Sequence, residues 1–463
     1  MSIEEVKVKE NPLGTRPVGT LLRQFAIPSI IAMLVGALYN IVDQFFIGNA
    51  IGELGNAATN IAFPLSISCV SIALLLGIGG ASAFNLTMGE GDKEKAPYYI
   101  GNSVSLLLIL GAILTIVTEA FLPTLLNIFG SPKDVYPYAL EYTRITAWGF
   151  PFMILAGGGA HVIRADGSPR FSMICNLTGA VVNTVLDALF IFKFGMGMRG
   201  AALATIIGQY VSGIMVLIYI RNYKTVTLKK EHFIPKAEYF LRNMSLGAAS
   251  FMNQIAMMVV QIVLNNSLKY YGGRSVYGEN IPIAVVGIIS KVGMMFFSFI
   301  IGISQGLQPI VSFNYGAKKF IRVRKATFLA LIISGILSIG SFTVFQVFPR
   351  NIIEIFGKGS GEEYYRFAVM YFRIYFFFTI INFLQPIISN FFSATGRPQR
   401  GMFLSLTRQI IFLIPLILIL PLFFGIDGIL YAGPIADAVA AIICITMGII
   451  EFKKKEYWIE DKN

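Results

Sequence analysis

The chain has 463 residues, of which 55% are hydrophobic and only 13% charged, with a net charge of +12. A soluble domain usually carries about 25% charged residues, so the composition excludes an ordinary soluble globular protein. The three cysteines (Cys69, Cys175, Cys444) sit singly in apolar runs without CxxC spacing, which excludes a disulfide framework or a thiolate metal site and leaves them as small core residues.

The leader "MSIEEVKVKENPLGTRPVG" carries both charge signs, and the apolar region behind it runs far past signal-peptide length. It is therefore expected to stay on the protein. Apolar runs near the ~20 residues needed to cross a bilayer then recur to the end of the chain. They predict twelve spans, roughly at 21–48, 58–88, 98–122, 138–163, 170–194, 200–221, 240–271, 281–313, 326–348, 364–392, 402–424 and 428–451. Alternate connections hold 25 of the 37 Lys and Arg. By the positive-inside rule both termini are cytoplasmic, and the basicity is a topology signal that needs no nucleic-acid partner.

Taken in chain order, the polar residues inside these spans are few, and each is a functional candidate because a polar or charged group in a bilayer is costly. Span 1 carries Pro28, which removes a backbone hydrogen bond and is expected to bend the helix. Asp43 follows near the outer end of that span, roughly 8 Å deep at 1.5 Å per residue. Span 4 holds His161, read as capped or solvated at the cytoplasmic end. Span 5 contains "NTVLDALF", which puts Asn183 and Asp187 four apart on one helix face. Thr205 enters span 6 at a matching depth. Two carboxylates, an amide and a hydroxyl from three helices are the ligand types that Na⁺ or a transferable proton requires. Two neighbouring carboxylates also cannot both ionise cheaply in a poorly solvated cavity.

Spans 7 and 8 group Met, Phe and amide side chains in "FMNQIAMMVVQ" and "VGMMFFSF". Met257 and Met295 are candidate lining for an adaptable cavity, with Gln254 and Gln261 beside them. Lys291, near the middle of span 8, either lines that cavity or neutralises a carboxylate. Arg408 and Asp437, in spans 11 and 12, are a candidate pair.

An internal repeat organises the whole. "RADGSPR" and "GMRGAALA" return as "SATGRPQR" and "GIDGILYA" at an offset of 227–229 residues. The expected fold is an all-α polytopic membrane protein. Its twelve transmembrane helices form two parallel-repeat six-helix lobes, residues 1–221 and 238–463, joined by a cytoplasmic linker at 222–237. That plan is the one used by transporters with a site between the halves. At the offset of 228, Leu416 falls near the counterpart of Asp187 and Ile411 at that of Asn183, so the coupling acids are expected in the first half only. "GEGD" (89–92) formally matches an intramembrane protease motif, but it lies in a charged loop where that chemistry has no buried partner. No phosphate loop or redox-cofactor site is present, so a gradient-driven transporter, not an enzyme, is expected.

"FAIPSIIAMLVGALYNIVDQFFIGN", "NTVLDALFIF", "GMRGAALAT" and "GISQGLQPIVSFNYGA" together resemble the multidrug and toxic compound extrusion (MATE) family over essentially the whole chain. The resemblance is strongest to its DinF-like branch and the MepA-type exporters. It implies two lobes exporting amphipathic, mostly cationic compounds in exchange for H⁺ or Na⁺, with no other cofactor. It implies a first-lobe cation site at Asp43, Asn183, Asp187 and Thr205, and helix bending at Pro28 with Tyr39 as its neighbour. The NorM-like branch has second-lobe acids in spans 7 and 10. Here those spans offer Gln254, Gln261 and Asn382, so that second site is expected to be absent. A monomer in the inner membrane of a bacterial or archaeal cell follows, with the bilayer and small amphipathic molecules as its partners. The alternative is a flippase for a lipid-linked or amphipathic anionic substrate.

Overall fold

Eleven helices long and apolar enough to cross a bilayer follow one another in the computed structural model, and a twelfth is bent by 43°. The structure describes residues 11–278, 280–356 and 362–458, so the two chain ends, expected on the basic face, lie partly outside the described residues. The helices are α1 (Val18–Ile51), α2 (Glu53–Glu90), α3 (Ala96–Ile128), α4 (Tyr136–Ala165), α5 (Pro169–Lys193) and α6 (Gly197–Arg221). In the second half come α7 (Ala237–Gly272), α8 (Asn280–Gly316), α9 (Phe320–Val347) and α10 (Glu362–Ile380 with Leu384–Ala394). The last two are α11 (Pro398–Phe424) and α12 (Ile426–Phe452). Helices dominate because lipid offers no partner for a backbone N–H or C=O.

The repeat has a backbone cause. Gly167 and Gly396, which open α5 and α11, have φ of 78° and 76°. Gly197 and Gly425, which open α6 and α12, have φ of 56° and 58°. Only glycine takes this left-handed region without a Cβ penalty, so the two halves reuse the same turns.

The linker is stitched to the first half. The Asn102 side chain donates to the His232 carbonyl (3.0 Å) and accepts from the Lys236 amide (2.7 Å). Asp166 accepts from the Lys224 and Thr225 amides, both at 2.8 Å, and from the hydroxyls of Tyr219 and Thr225. Burial pushes this carboxyl above the usual range, and the four donors pull it back. Asp166→Asn would turn an NH₂ toward one pair of these donors. Thermal unfolding should show a loss of about 1–3 kcal/mol, and an unchanged melting curve would mean the anchor holds nothing.

The two halves meet at the end that bears the basic connections. Most inter-half hydrogen bonds among the described residues lie there, and one reaches mid-helix, from Gln305 to Met33 Sδ at 3.8 Å. Gln308 of α8 donates to the Ile78 carbonyl (3.0 Å) and Ser82 (2.8 Å) of α2. Arg164 of α4 donates to Gln305 of α8 at 3.1 Å. Asn314, Lys319 and Arg322 clasp the carbonyls of the short N-terminal turn Pro12–Thr15 and of Arg16. Glycines permit the close approach: a Cβ on Gly302 would stand 2.6 Å from Ile30 Cα, and one on Gly306 2.6 Å from Ala26 Cα. His161 is enclosed by this contact, 4% exposed with Nδ1 unpartnered. The expectation of a solvated histidine is corrected: the second half covers the end of α4.

Candidate functional site

The first-half cluster forms where α1, α4, α5 and α6 converge. Asp187 is fully buried, Asn183 is 2% exposed, Thr205 7% and Asp43 9%. Asn183 Nδ2 donates to Thr205 Oγ1 (3.3 Å), and that hydroxyl donates to the Ala201 carbonyl (2.9 Å). The carboxyls of Asp43 and Asp187 lie within hydrogen-bonding reach of each other. Tyr39 and Tyr142, both half-buried, lie near the two acids. Tyr39 is on the face of Asp43 because four residues separate them.

Helix geometry explains why these groups point inward. Ile30 faces α8. Asp43 is thirteen residues on, about 220° around a helix of 3.6 residues per turn, and so turns away from the second half into the first. Directly after Asp187, residues Ala188–Lys193 form a π-helical segment. Such turns are frequent at functional sites.

Most of the cluster's oxygens have no protein donor. Asp43 Oδ1, Asn183 Oδ1 and both carboxylate oxygens of Asp187 are buried without a hydrogen-bond partner. Buried acceptors are costly unless matched, and two adjacent ionised carboxylates are costlier still. A shared proton would bridge one oxygen of each carboxyl, whereas a small hard cation is the kind of ligand several such oxygens take. No cluster of three or more His, Cys, Asp or Glu occurs among the described residues.

Pro28 lies in a continuous helix, buried, with Ala26 and Ile30 on either side pressed against Gly306 and Gly302. The proline is thus within the turn of α1 on which the halves close. Lys291 is exposed and takes part in none of the salt bridges among the described residues. It lies on the same helix stripe as Met295 and Gly302, and it is not among the residues lining the second-half cavity.

Met257 and Gln261 line a separate cavity of about 110 Å³ inside the second half. Gln254 is half-buried outside that lining, and Met295 is half-buried on α8. The candidate pair Arg408 and Asp437 meets in the second half. Asp437 of α12 is 3% exposed, and its carboxylate accepts from Arg408 Nε on α11 and from Asn382 Nδ2 at 3.0 Å. The acid comes from span 12, so a search of spans 7 and 10 misses it. Tyr142 was not legible as a site member, and Asn382, named only as a residue of span 10, was not foreseen as a partner of Asp437. Tyr142 joins through the packing of α4 on α6, and Asn382 lies in the break of α10.

The MatE family profile matches residues 28–189 and 249–419. Multidrug export protein MepA of Staphylococcus haemolyticus is 25% identical over 425 residues, 92% of each chain. MepA of Staphylococcus aureus strain MSSA476 is 24% identical over 430 residues, again 92% of each. Among solved structures, a multidrug resistance MATE family transporter in an outward-facing conformation superposes with a TM-score of 0.88 at 23% identity, covering 96% of this chain and 97% of that one. A MOP superfamily transporter from Pyrococcus furiosus, noted for a binding pocket of reverse polarity, also gives 0.88, at 22% identity and the same coverage.

Proposed function

The chain belongs to the MatE family of multidrug efflux transporters, integral membrane proteins, and on that premise we propose that it exports amphipathic, mostly cationic compounds in exchange for H⁺ or Na⁺ by alternating access. The observation that carries this reading is the buried oxygen cluster at Asp43, Asn183, Asp187 and Thr205. Its acceptors are unpartnered, and it sits on the helix whose proline turn packs at the closure.

With the basic face in the cytoplasm, the closed contact there corresponds to an outward-open state. Loading the cluster with a cation removes repulsion between the two acids and draws α1 toward α5 and α6. Because Ala26 and Ile30 on the same helix seal the halves, a shift of α1 changes the seal as well. Binding and closure are thereby coupled through one element with two arrangements. One charge crossing 100 mV supplies about 2.3 kcal/mol for the export step.

Proteoliposomes test this. Ethidium movement should follow either an imposed pH gradient or an imposed Na⁺ gradient, and the effective gradient names the coupling ion. Ethidium indifferent to both would overturn gradient-coupled export of cations.

A further inference from the structure

An open groove of about 340 Å³ runs over the outside of the second half, between α9, α10 and α12. Phe372 and Phe376 of α10 pack into the core of that half. Arg373 and Phe377, each one position on, stand instead at the surface and line the groove. Phe377 is 53% exposed, and Tyr431 and Ile435 of α12 on the other wall are 43% and 41% exposed. Exposed apolar surface on the outside of a membrane bundle is covered by lipid. Gln346, one residue from the end of α9, pins the spot by donating to the Arg373 carbonyl at 2.9 Å. The short helix Pro349–Phe356 follows, and its Arg350 lies over the Tyr365 ring at 5.0 Å. Tyr365 thus marks the rim opposite the basic face, and Arg373, eight residues along α10, is about 12 Å below it. The Arg373 guanidinium takes part in no salt bridge or side-chain hydrogen bond among the described residues, and no Asp or Glu lines the groove. A charge facing lipid at that depth is costly unless something pairs with it.

We propose that this groove holds an anionic phospholipid of the leaflet opposite the basic face, with its phosphate on Arg373 and an acyl chain along Phe377 and Ile435. The guanidinium fork meets a phosphate with two parallel hydrogen bonds. A long arginine stem can lie along apolar surface and lift its charged end toward the head groups, where the phosphate is. The charge balance selects the lipid. One phosphodiester neutralises Arg373, whereas the ammonium of a zwitterionic head would find no acid in the groove. The space falls within the range of about 300–1,000 Å³ typical of ligand sites. An arginine that only reached for water would not tell one lipid from another. The inference goes beyond the export reading and uses a different site.

The test is a titration of the purified, full-length protein in detergent with phosphatidylglycerol that carries a fluorophore at the end of one acyl chain. Unlabelled phosphatidylglycerol is expected to compete about tenfold better than phosphatidylcholine of the same chains, as a charge-assisted contact provides. Arg373→Gln should remove that preference. Arg373→Lys keeps the charge without the fork and should keep part of it. Arg274→Gln removes a positive charge beyond the outer end of α7, away from the groove, and should change nothing. If Arg373→Gln does not fold, Ile435→Trp serves instead, since it fills the groove without altering charge and should weaken phosphatidylglycerol about tenfold. Equal competition by the two lipids overturns the proposal, as does phosphatidylglycerol binding untouched by Arg373→Gln or, where that variant fails, by Ile435→Trp. An equal loss in Arg274→Gln would reduce the effect to net charge, and equal competition by glycerol 3-phosphate would make the occupant a free phosphate; either sinks the lipid site. Gradient-driven ethidium movement in the same preparation reports separately on the export reading.

Discussion

Asp187→Asn is expected to reduce gradient-driven export to passive equilibration. One coupled charge at 100 mV supports about 2.3 kcal/mol, a concentration ratio of about 50-fold, and without a titratable or cation-binding acid that ratio falls to about one. Asp43→Asn should do the same. The double variant should be no worse than either single one, because both acids serve one site and their effects are not additive. The melting temperature separates this from misfolding. Asp187 has two buried oxygens without partners beside a second carboxyl, so the neutral amide relieves repulsion and should not destabilise. Lost transport with an unchanged or raised melting temperature is the expected result. Full dye export by both single variants would remove the coupling role from this cluster. Thr205→Ala should cost less, since Thr205 contributes a neutral hydroxyl already bonded to the Ala201 carbonyl.

What could be read from the sequence follows from which forces are local. Hydropathy and the Lys/Arg distribution placed all twelve spans, because a bilayer acts on each segment independently. The Asn183–Asp187 spacing was legible because i and i+4 share a face on any helix. Repeated glycines marked turns that need φ near +60° to +80°, as Gly167 and Gly396 confirm. The misses are tertiary. The break of α10 falls in an aromatic stretch, Phe376 to Phe383, with no glycine to announce it. His161 looked solvated because its cover, the Gln308 segment of α8, is nearly 150 residues away in the chain. Asp437 was seen as a candidate partner of Arg408, yet the cavity that Arg408 lines depends on five helices meeting.

Gly306→Leu is expected to prevent closure of the basic face and so to stop transport even with the coupling cluster intact. The Cβ alone would lie 2.6 Å from both Cα and N of Ala26. Backbone cannot swing aside as a side-chain tip can, so α8 must retreat from α1. Overpacking of this kind costs about 1–3 kcal/mol, a shift of about 5- to 150-fold toward the open arrangement. The same logic applies to Gly79 and Gly247, whose added Cβ atoms would collide with the carbonyls of Asn243 and Leu75 on α7 and α2. The readout is access to Ser82, which is fully buried and bonded to Gln308 in the closed contact. In a background without the three native cysteines, Ser82→Cys should resist a membrane-impermeant maleimide applied to the basic face. Adding Gly306→Leu should expose it. Gly287→Leu is the control, because no atom lies within 4 Å of a Cβ built there, and it should leave Ser82→Cys protected. If Gly306→Leu left labelling and ethidium export both unchanged, the α1–α8 contact would not be the gate. The coupling of Asp43 to closure through α1 would then have no structural route, because the helix that carries the acid would seal nothing.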